Sequence, residues 1–275
     1  MADYWYGLVV GNSRFHWAAF DDQVFLKSWH TPHLLTQQLV ELINHWFSHE
    51  SWQRVDPGLE VAQLASLAHC PPIWVASVVD MQTAFFQGEL GAPVYEVDRH
   101  QIPLRGLYDT LGLDRILNIW GASLRYSWPI VVVDAGTALA ITAGSEGQVL
   151  GGAVLPGLAL QARMLSEATD ALPYVSFHAL TAFPPRWAMT TDEAIQSGIL
   201  YTALAGIESY LKDWRQQHPD SAVVFTGGDG ELLYRLSKSR TPVSDTEIRL
   251  DPNLMFWGLR AYRRLSQRGD LSVIV

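Results

Sequence analysis

The sequence contains little that would crosslink the chain or anchor it in a membrane. It has one cysteine, Cys70, in 275 residues, which excludes an intramolecular disulfide framework and a cysteine-based zinc cluster. Charged residues make up 17% of the chain and hydrophobic residues 48%, a balance typical of a folded protein with a well-buried core. No apolar run reaches the roughly 18 residues of a membrane span, so we expect no membrane partner.

Positive charge is also scarce. Lysine and arginine number 19 against 28 acidic residues, which gives a formal net charge of −9. Because nucleic-acid binding requires a basic surface, this balance argues against DNA or RNA as the main partner. A local nucleotide site is still compatible with it. The N-terminal residues lack the basic start and the cleavage site of a signal peptide, and we expect a cytoplasmic protein.

Three common enzyme motifs are missing as well. The sequence has no GxxxxGKS/T phosphate loop, no GxSxG nucleophile elbow and no GxGxxG dinucleotide fingerprint. What is present is the stretch 130–143, IVVVDAGTALAITA, in which a β-branched run ends in Asp134 and a turn follows at Gly136, Thr137 and Ala138. The turn fits two interpretations: a plain connection between buried strands, or a loop whose amides cradle phosphate oxygens beside a cation-binding carboxylate.

An earlier stretch repeats this pattern. Residues 6–29 and 130–155 each predict three strands joined by two turns. The predicted strands are 8–10, 15–20 and 24–29 in the first copy, and 130–133, 139–143 and 148–155 in the second. Gly11 matches Gly136, so the turn Gly11–Asn12–Ser13 becomes a second candidate phosphate loop.

Each three-stranded unit is followed by helix, strand, helix, strand and helix. The predicted ranges are 34–47, 73–79, 81–90, 94–97 and 114–126, then 158–168, 222–226, 231–239, 247–250 and 252–267. Two βββαβαβα units in tandem predict an α/β protein with two related lobes, residues 1–126 and 127–275. An inserted helix to about Gln217 is predicted after a capping box from Thr190 to Glu193, and an extra helix at about 59–69.

Six motifs follow one another along the chain: GNSRFHWA, GLDR, IVVVDAGTALAIT, GGAVLPG, TDEAIQSG and TGG. In this order they resemble those of the type III pantothenate kinases, members of the actin, Hsp70 and sugar-kinase superfamily. The resemblance covers nearly the whole chain and implies RNase H-like lobes with a nucleotide cleft between them. It also implies ATP-dependent phosphorylation of pantothenate, the first step of coenzyme A synthesis. The enzyme would be a homodimer that uses Mg²⁺ and a monovalent cation, K⁺ or NH₄⁺.

The resemblance also implies roles for residues at matching positions. The residues expected to bind ATP are Gly11, Asn12, Ser13, Gly136, Thr137, Ala138, Gly227 and Gly228. Asp134 would hold the metal, and Asp114 would accept the proton of the pantothenate hydroxyl. The residues expected to bind pantothenate are Tyr108, Gly112, Arg115 and, from the neighbouring subunit, Thr191.

Several of these residues have simpler interpretations. Asp114 lies near the start of a predicted helix, where a carboxylate interacts favourably with the helix dipole. Arg115 can form a structural ion pair, Thr191 can cap its helix, and Gly227–Gly228 can be an ordinary turn between a strand and a helix.

Two positions depart from the pattern of the family. Its first loop usually has an aspartate two residues before the glycine, where this chain has Val9. Asp3 is too far upstream to replace it. The usual aromatic residue of the substrate site falls on Arg105, which leaves Tyr108 as the nearest candidate. The first departure leaves a non-catalytic, nucleotide-binding regulator as an alternative function. A kinase for another small hydroxylated substrate is a second alternative.

Overall fold

The computed structural model describes residues 3–61, 70–77, 93–178, 180–240 and 248–268. The strands are β1 (Tyr4–Val10), β2 (Phe15–Asp21), β3 (Val24–Thr31), β4 (Ile73–Ser77), β5 (Val94–Glu96), β6 (Ile130–Ala135), β7 (Ala138–Ser145), β8 (Gln148–Pro156), β9 (Ala222–Thr226) and β10 (Ile248–Leu250). The helices are α1 (Thr36–Asn44), α2 (His49–Val55), α3 (Leu113–Tyr126), α4 (Leu158–Ala168), α5 (Thr191–Gln217), α6 (Gly230–Arg240) and α7 (Leu254–Arg268). The helix predicted at 81–90 and most of the one at 59–69 lie outside the described residues.

The two sheets have the same topology. The first has the strand order β3-β2-β1-β4-β5, with an antiparallel β1–β2–β3 meander and with β4 and β5 parallel to β1. The second has the order β8-β7-β6-β9-β10 with the same strand directions. The prediction of duplicated α/β lobes is therefore confirmed.

The described residues form two compact units. The first contains the residues up to Pro103, Thr110–Gly121 and the residues from Met255 onward, and the second contains Leu104–Asp109 and Ala122–Leu254. In this structure α7 thus belongs, apart from its first residue, to the first unit. The division into residues 1–126 and 127–275 stays a prediction.

The core of the first unit is rich in aromatic residues. Alternate residues of β1, namely Tyr6, Leu8 and Val10, point into a cluster covered by α1 and α2. Trp17 and Trp52 lie in the same cluster with their rings edge to face, 5.2 Å between centroids. Since side chains alternate along a strand, the intervening residues of β1 face the other side of the sheet.

The core of the second unit is mainly aliphatic. One face of β6, β7 and β9 packs against α4, α5 and α6, with Val133, Phe225, Ala162, Leu204 and Leu233 among the buried residues. In each unit the central strand, β1 or β6, ends at a candidate phosphate loop. None of the helices in the described part of the chain combines the length and hydropathy of a membrane span.

Helix α1 is shorter than predicted. The sequence pattern predicts one helix over 34–47, but α1 ends at Asn44, and α2, which was not predicted, begins at His49. Trp46 and Phe47 have φ angles of 51° and 55°, in the left-handed region that ends a right-handed helix. The expected apolar face is nevertheless the one that α1 buries.

Candidate functional site

The first candidate phosphate loop is the turn between β1 and β2. The Gly11 N–H donates to the Arg14 carbonyl, with N···O 3.0 Å. The Gly11 carbonyl accepts a hydrogen bond from His33 Nε2 at 2.8 Å, which requires the Nε2–H form of that ring. Asn12 and Ser13 are exposed at the tip. Two hydrogen bonds therefore fix the base of the turn, and its tip faces solvent.

Val9, the residue that departs from the family pattern, is the second-last residue of β1, two residues before Gly11 of this turn. Val9 is 1% exposed and lies between His16 of β2 and Ala76 of β4. Asp3 does not replace a carboxylate at this position, because it lies before the other end of β1 and pairs with Arg263 at 2.5 Å. The position two residues before Gly11 thus carries an alkyl side chain, where the usual family pattern has a carboxylate.

An imidazole lies next to Val9. His16 Nδ1 is hydrogen-bonded to His30 Nδ1 across β2 and β3 at 3.0 Å. The Nε2 atom of His16 lies 3.2 Å from the point that a Cβ on Gly11 would occupy. Burial, and then the charges of His30 and Arg14, lower the pKa of His16 to about 4, so the ring is neutral at neutral pH. Sequence reasoning missed His16, although an antiparallel register through the turn would have placed it opposite Val9.

Asp114 is the second residue of α3. Its Oδ1 atom accepts a hydrogen bond from the Arg115 N–H at 2.7 Å, and a Cβ on Gly112 would overlap that oxygen. Burial raises the pKa of Asp114, while the backbone N–H and the charge of Arg115 oppose the rise. The hydrogen bond fits the simpler interpretation, a helix-start carboxylate. The raised pKa makes the side chain a stronger base than an exposed aspartate.

A cavity of about 500 Å³ opens beside the start of α3. It is lined by Ser77 at the end of β4, by the residues from Glu96 to Arg99, and by the residues from Leu111 to Leu113. Asp114 is the next residue in the sequence after Leu113, which lines this cavity. The volume is in the range of small-molecule sites, and all lining residues belong to the first unit.

The second candidate phosphate loop follows β6. Asp134 is half-buried near the end of that strand, and the Gly136 N–H donates to the Ala138 carbonyl at 3.0 Å. The Gly157 N–H donates to the Thr137 carbonyl at 3.0 Å, and a Cβ on Gly157 would overlap the Gly136 carbonyl oxygen. The loop is therefore closed by its own hydrogen bond and held by a glycine of the GGAVLPG motif.

The TGG motif contacts Asp134 from the neighbouring strand. Gly227 has a φ of +87°, and a Cβ there would lie 2.5 Å from Asp134 Oδ1. Thr226 is paired with Asp134 in the parallel register of β9 and β6. Its Oγ1 atom is buried without a hydrogen-bond partner among the described residues. Sequence reasoning singled out the two glycines and not this hydroxyl. Gly228 follows, exposed, with open space around it.

Tyr108 lies in the segment 104–109 of the second unit and is 44% exposed. In the same segment, an Arg105 guanidinium N–H donates to the Glu146 carbonyl at 3.0 Å. The Arg105 N–H donates to the Gly147 carbonyl at 2.9 Å. The residue at the usual aromatic position is thus bonded to the β7–β8 turn.

Thr191 is the exposed first residue of α5. The helix is capped by Thr190, whose Oγ1 accepts from the Glu193 N–H at 3.4 Å. The predicted cap at Thr190 is confirmed, and the simpler interpretation of Thr191 as the cap is wrong. The Thr191 hydroxyl has no hydrogen-bond partner within the described ranges.

Comparison with known proteins identifies the family. Residues 8–213 match the family model described as type III pantothenate kinase. The protein of that name from Nostoc sp. strain PCC 7120 is 38% identical over 264 residues, which is 93% of each chain. The chain belongs to the type III pantothenate kinase family. A second family member, from Synechocystis sp. strain PCC 6803, is 37% identical over 261 residues, covering 94% of this chain and 89% of the relative. The resemblance drawn from the six motifs is confirmed.

Solved structures share the fold at lower identity. A Campylobacter jejuni protein described as a Baf family transcriptional activator has a TM-score of 0.59 and 20% identity, covering 96% of this chain and 99% of its own. A Sinorhizobium meliloti protein described as a 2-dehydro-3-deoxygalactonokinase has a TM-score of 0.55 and 13% identity, covering 95% and 99%. At these identities the similarity shows the fold alone, and it agrees with the α/β fold described above.

Proposed function

We propose that this chain transfers the γ-phosphoryl group of ATP to the primary hydroxyl of pantothenate, the first step of coenzyme A synthesis. The observation that carries the proposal is the Asp114–Arg115 pair beside a cavity of about 500 Å³, in a chain of the type III pantothenate kinase family. Phosphoryl transfer requires positioned phosphates, neutralised charge and an acceptor for the hydroxyl proton. The described residues offer a candidate for each requirement.

Asp114 is the proposed general base. The pantothenate hydroxyl oxygen attacks the γ-phosphorus, the bond from that phosphorus to the β–γ bridging oxygen breaks, and the hydroxyl proton passes to Asp114. The raised pKa of Asp114 supports this role. Arg115 would bind the pantothenate carboxylate, since a guanidinium can pair with a carboxylate through two hydrogen bonds. Gly112, which lines the cavity, would also contact pantothenate, and Tyr108 is a further proposed pantothenate-binding residue.

The two closed turns are the proposed phosphate-binding loops. Gly11, Asn12 and Ser13 of the first loop would bind phosphate oxygens, as would Gly136, Thr137 and Ala138 of the second loop. Backbone amides in such turns form concave anion sites. Gly227 and Gly228 would leave room for the adenine or ribose to approach, because neither carries a Cβ.

Asp134 would hold the metal ion. Its carboxylate is paired in register with Thr226, whose hydroxyl is buried without a partner among the described residues, and Mg²⁺ takes oxygen ligands. In the described ranges no group of three or more His, Cys, Asp and Glu side chains could hold a metal, so water and phosphate oxygens would complete the coordination. A bound cation neutralises charge on the phosphates. The monovalent cation, K⁺ or NH₄⁺, belongs to the proposal through the family resemblance.

A homodimer in the cytoplasm completes the proposal. Trp187 and Met189 are 88% and 95% exposed, and they lie just before Thr191 in the sequence. Contiguous patches of exposed apolar side chains mark interaction surfaces. They support a subunit interface at this end of α5, from which Thr191 would reach the pantothenate of the neighbouring subunit.

A coupled assay with ATP, pantothenate, Mg²⁺ and K⁺ tests the activity. We expect formation of 4′-phosphopantothenate that depends on Asp114.

The buried Val9 favours a second candidate, a nucleotide-binding regulator without catalysis. ATP binding without turnover would support that regulator. Faster turnover with a sugar or glycerol than with pantothenate would indicate a kinase for another hydroxylated substrate.

A further inference from the structure

Val9, His16 and His30 form a row across β1, β2 and β3. Val9 pairs with His16, and His16 pairs with His30, so all three side chains share one face of the sheet. This row lies at the end of the sheet where the β1–β2 turn begins. The position that carries a carboxylate in the usual family pattern is therefore paired here with one imidazole, His16, which is itself paired with a second, His30.

The side of the His16 ring that is not bonded to His30 faces the first loop. Its Nδ1 atom is bonded to His30, while its Nε2 atom has no hydrogen-bond partner among the described residues. That atom lies 3.2 Å from the point that a Cβ on Gly11 would occupy. A larger residue at position 11 would therefore press on the ring, and a ligand bound at this turn comes within reach of Nε2.

The bond between the two Nδ1 atoms permits two arrangements. In one, His30 donates its Nδ1–H and His16 carries its proton on Nε2, facing the loop. In the other, His16 donates from Nδ1 and presents a bare Nε2 lone pair. Burial lowers the pKa of both rings, so one proton per ring is the expected state at neutral pH. An anion at the loop selects the first arrangement, because a lone pair repels it.

We propose that His16 binds a phosphate oxygen of ATP through its Nε2–H, and that His30 positions this proton by donating to His16 Nδ1. The inference rests on the proposed assignment of Gly11, Asn12 and Ser13 as the first phosphate loop. A carboxylate at position 9 would need a cation to approach phosphate. A neutral N–H donor contacts phosphate directly, so His16 replaces that arrangement in this chain.

Binding of a non-hydrolysable ATP analogue tests the contact. In the His16→Phe variant, which keeps a ring without N–H groups, the Kd should rise about 10- to 100-fold, the effect of losing one hydrogen bond to a charged group. His16→Gln places an amide near the position of Nε2 and should restore most of the affinity. His49→Phe, at an exposed helix residue, is the matched control and should leave Kd unchanged. The KM for pantothenate should not change in any of these variants.

Nitrogen NMR of the wild-type side chain gives a second measurement that needs no variant. With the analogue bound, His16 should carry its proton on Nε2, and that resonance should shift on binding. His30→Phe should weaken binding less than His16→Phe, and His30→Asn, which retains an amide donor, should recover the loss.

Three results would overturn the inference: an unchanged Kd for His16→Phe, equal losses for His16→Gln and His16→Phe, or an Nδ1-protonated His16 in the complex. In each case normal wild-type turnover would leave the pantothenate kinase proposal standing. Absent wild-type turnover would instead contradict that proposal, whatever His16 does.

Discussion

The burial of Asp114 has opposite effects on its proposed role as a base and on the stability of the fold. Burial raises the pKa of its carboxyl, which makes it a better proton acceptor. The same burial destabilises the charged form in the folded state relative to the unfolded chain. The charged carboxylate therefore costs stability at neutral pH, where the proposed proton transfer needs it. This cost shrinks as the pH falls through the raised pKa and vanishes below the ordinary pKa of an aspartate. Function and stability should consequently respond in opposite directions when this charge is removed.

Replacement of Asp114 by asparagine tests that opposition. We expect kcat to fall by about 10²–10⁴, the usual contribution of a general base, and the free energy of unfolding at neutral pH to rise. The gain in stability should vanish at acidic pH, where the wild-type carboxyl is neutral. A coupled assay and urea unfolding measure the two effects. Asp109→Asn, at an exposed carboxylate, is the control, and a loss of stability at neutral pH in Asp114→Asn would contradict the prediction.

A carboxylate at position 9 should charge the neighbouring imidazole. In a Val9→Asp variant the new anion would lie opposite His16 in the β1–β2 pair. We expect the pKa of His16 to rise from about 4, because a nearby negative charge stabilises imidazolium. Val9→Asn has the same shape without the charge and is the control. NMR titration of His16 measures the shift, and equal values in the two variants would show that the side chains do not interact.

The candidate site residues that could be predicted from the sequence are those that lie in short motifs. Gly11, Asp114, Asp134 and Gly227 each belong to a motif that the family resemblance recognises. His16 also lies inside a motif, but its significance comes from strand pairing with Val9 and His30, which no local pattern displays. The Thr226 hydroxyl was missed for the same reason, since its lack of a partner is a property of the packed sheet.

At the scale of elements, two glycines outside the second loop determine how closely other strands and helices approach it. Gly157 precedes α4 and Gly227 follows β9, and a Cβ at either position would meet the end of β6 or the turn after it. The GGAVLPG and TGG motifs are therefore explained by close packing against the loop, independently of any direct contact with ATP.

A Gly157→Ala substitution tests this packing. The added methyl group would overlap the Gly136 carbonyl, so the loop must move, at a cost of about 1–3 kcal/mol for overpacking. We expect ATP binding to weaken about tenfold or more if that cost falls on the loop.

Gly198→Ala in α5 is the control, because open space surrounds its Cβ position. It should stabilise the helix by up to about 1 kcal/mol. Unchanged ATP affinity in Gly157→Ala would show that the loop tolerates the shift.

Helix positions were predicted well where a local signal marks the start of the helix. α4 begins after Pro156–Gly157 and the long α5 after the capping residue Thr190, as predicted. The end of α1 was missed because Trp46 and Phe47 adopt a left-handed conformation that bulky residues rarely take. Tertiary contacts explain it, since Phe47 is buried and its carbonyl accepts a hydrogen bond from the Tyr6 hydroxyl at 3.4 Å.

At the scale of the whole molecule, the repeat was the strongest sequence signal. Two copies of one order of elements along the chain, βββαβαβα, were predicted, and the two sheets share one topology. The proposed homodimer is a property of two chains, and among the described residues the exposure of Trp187 and Met189 supports it.

Subunit complementation tests the shared site. Asp114→Asn and Thr191→Ala should each be impaired when assayed alone. A mixed dimer of the two variants contains one site with both wild-type residues. Random co-assembly should therefore restore roughly a quarter of wild-type activity. Trp187→Asp should favour monomers in equilibrium sedimentation and reduce activity in parallel. Recovery no greater than the sum of the separate variants would indicate that Thr191 does not act on the neighbouring subunit.

The position of α7 has a consequence for synthesis on the ribosome. Asp3 and Arg263 form an ion pair across 260 residues of sequence, and a Cβ on Gly7 would lie 2.8 Å from Leu259 of α7. The first unit thus lacks one of its helices until the second unit has been translated, the reverse of the usual N-terminal-first order. In chains stalled after β10, limited proteolysis should cut β1–β5 before β6–β9. The lobe that is made first is expected to be the one that folds last.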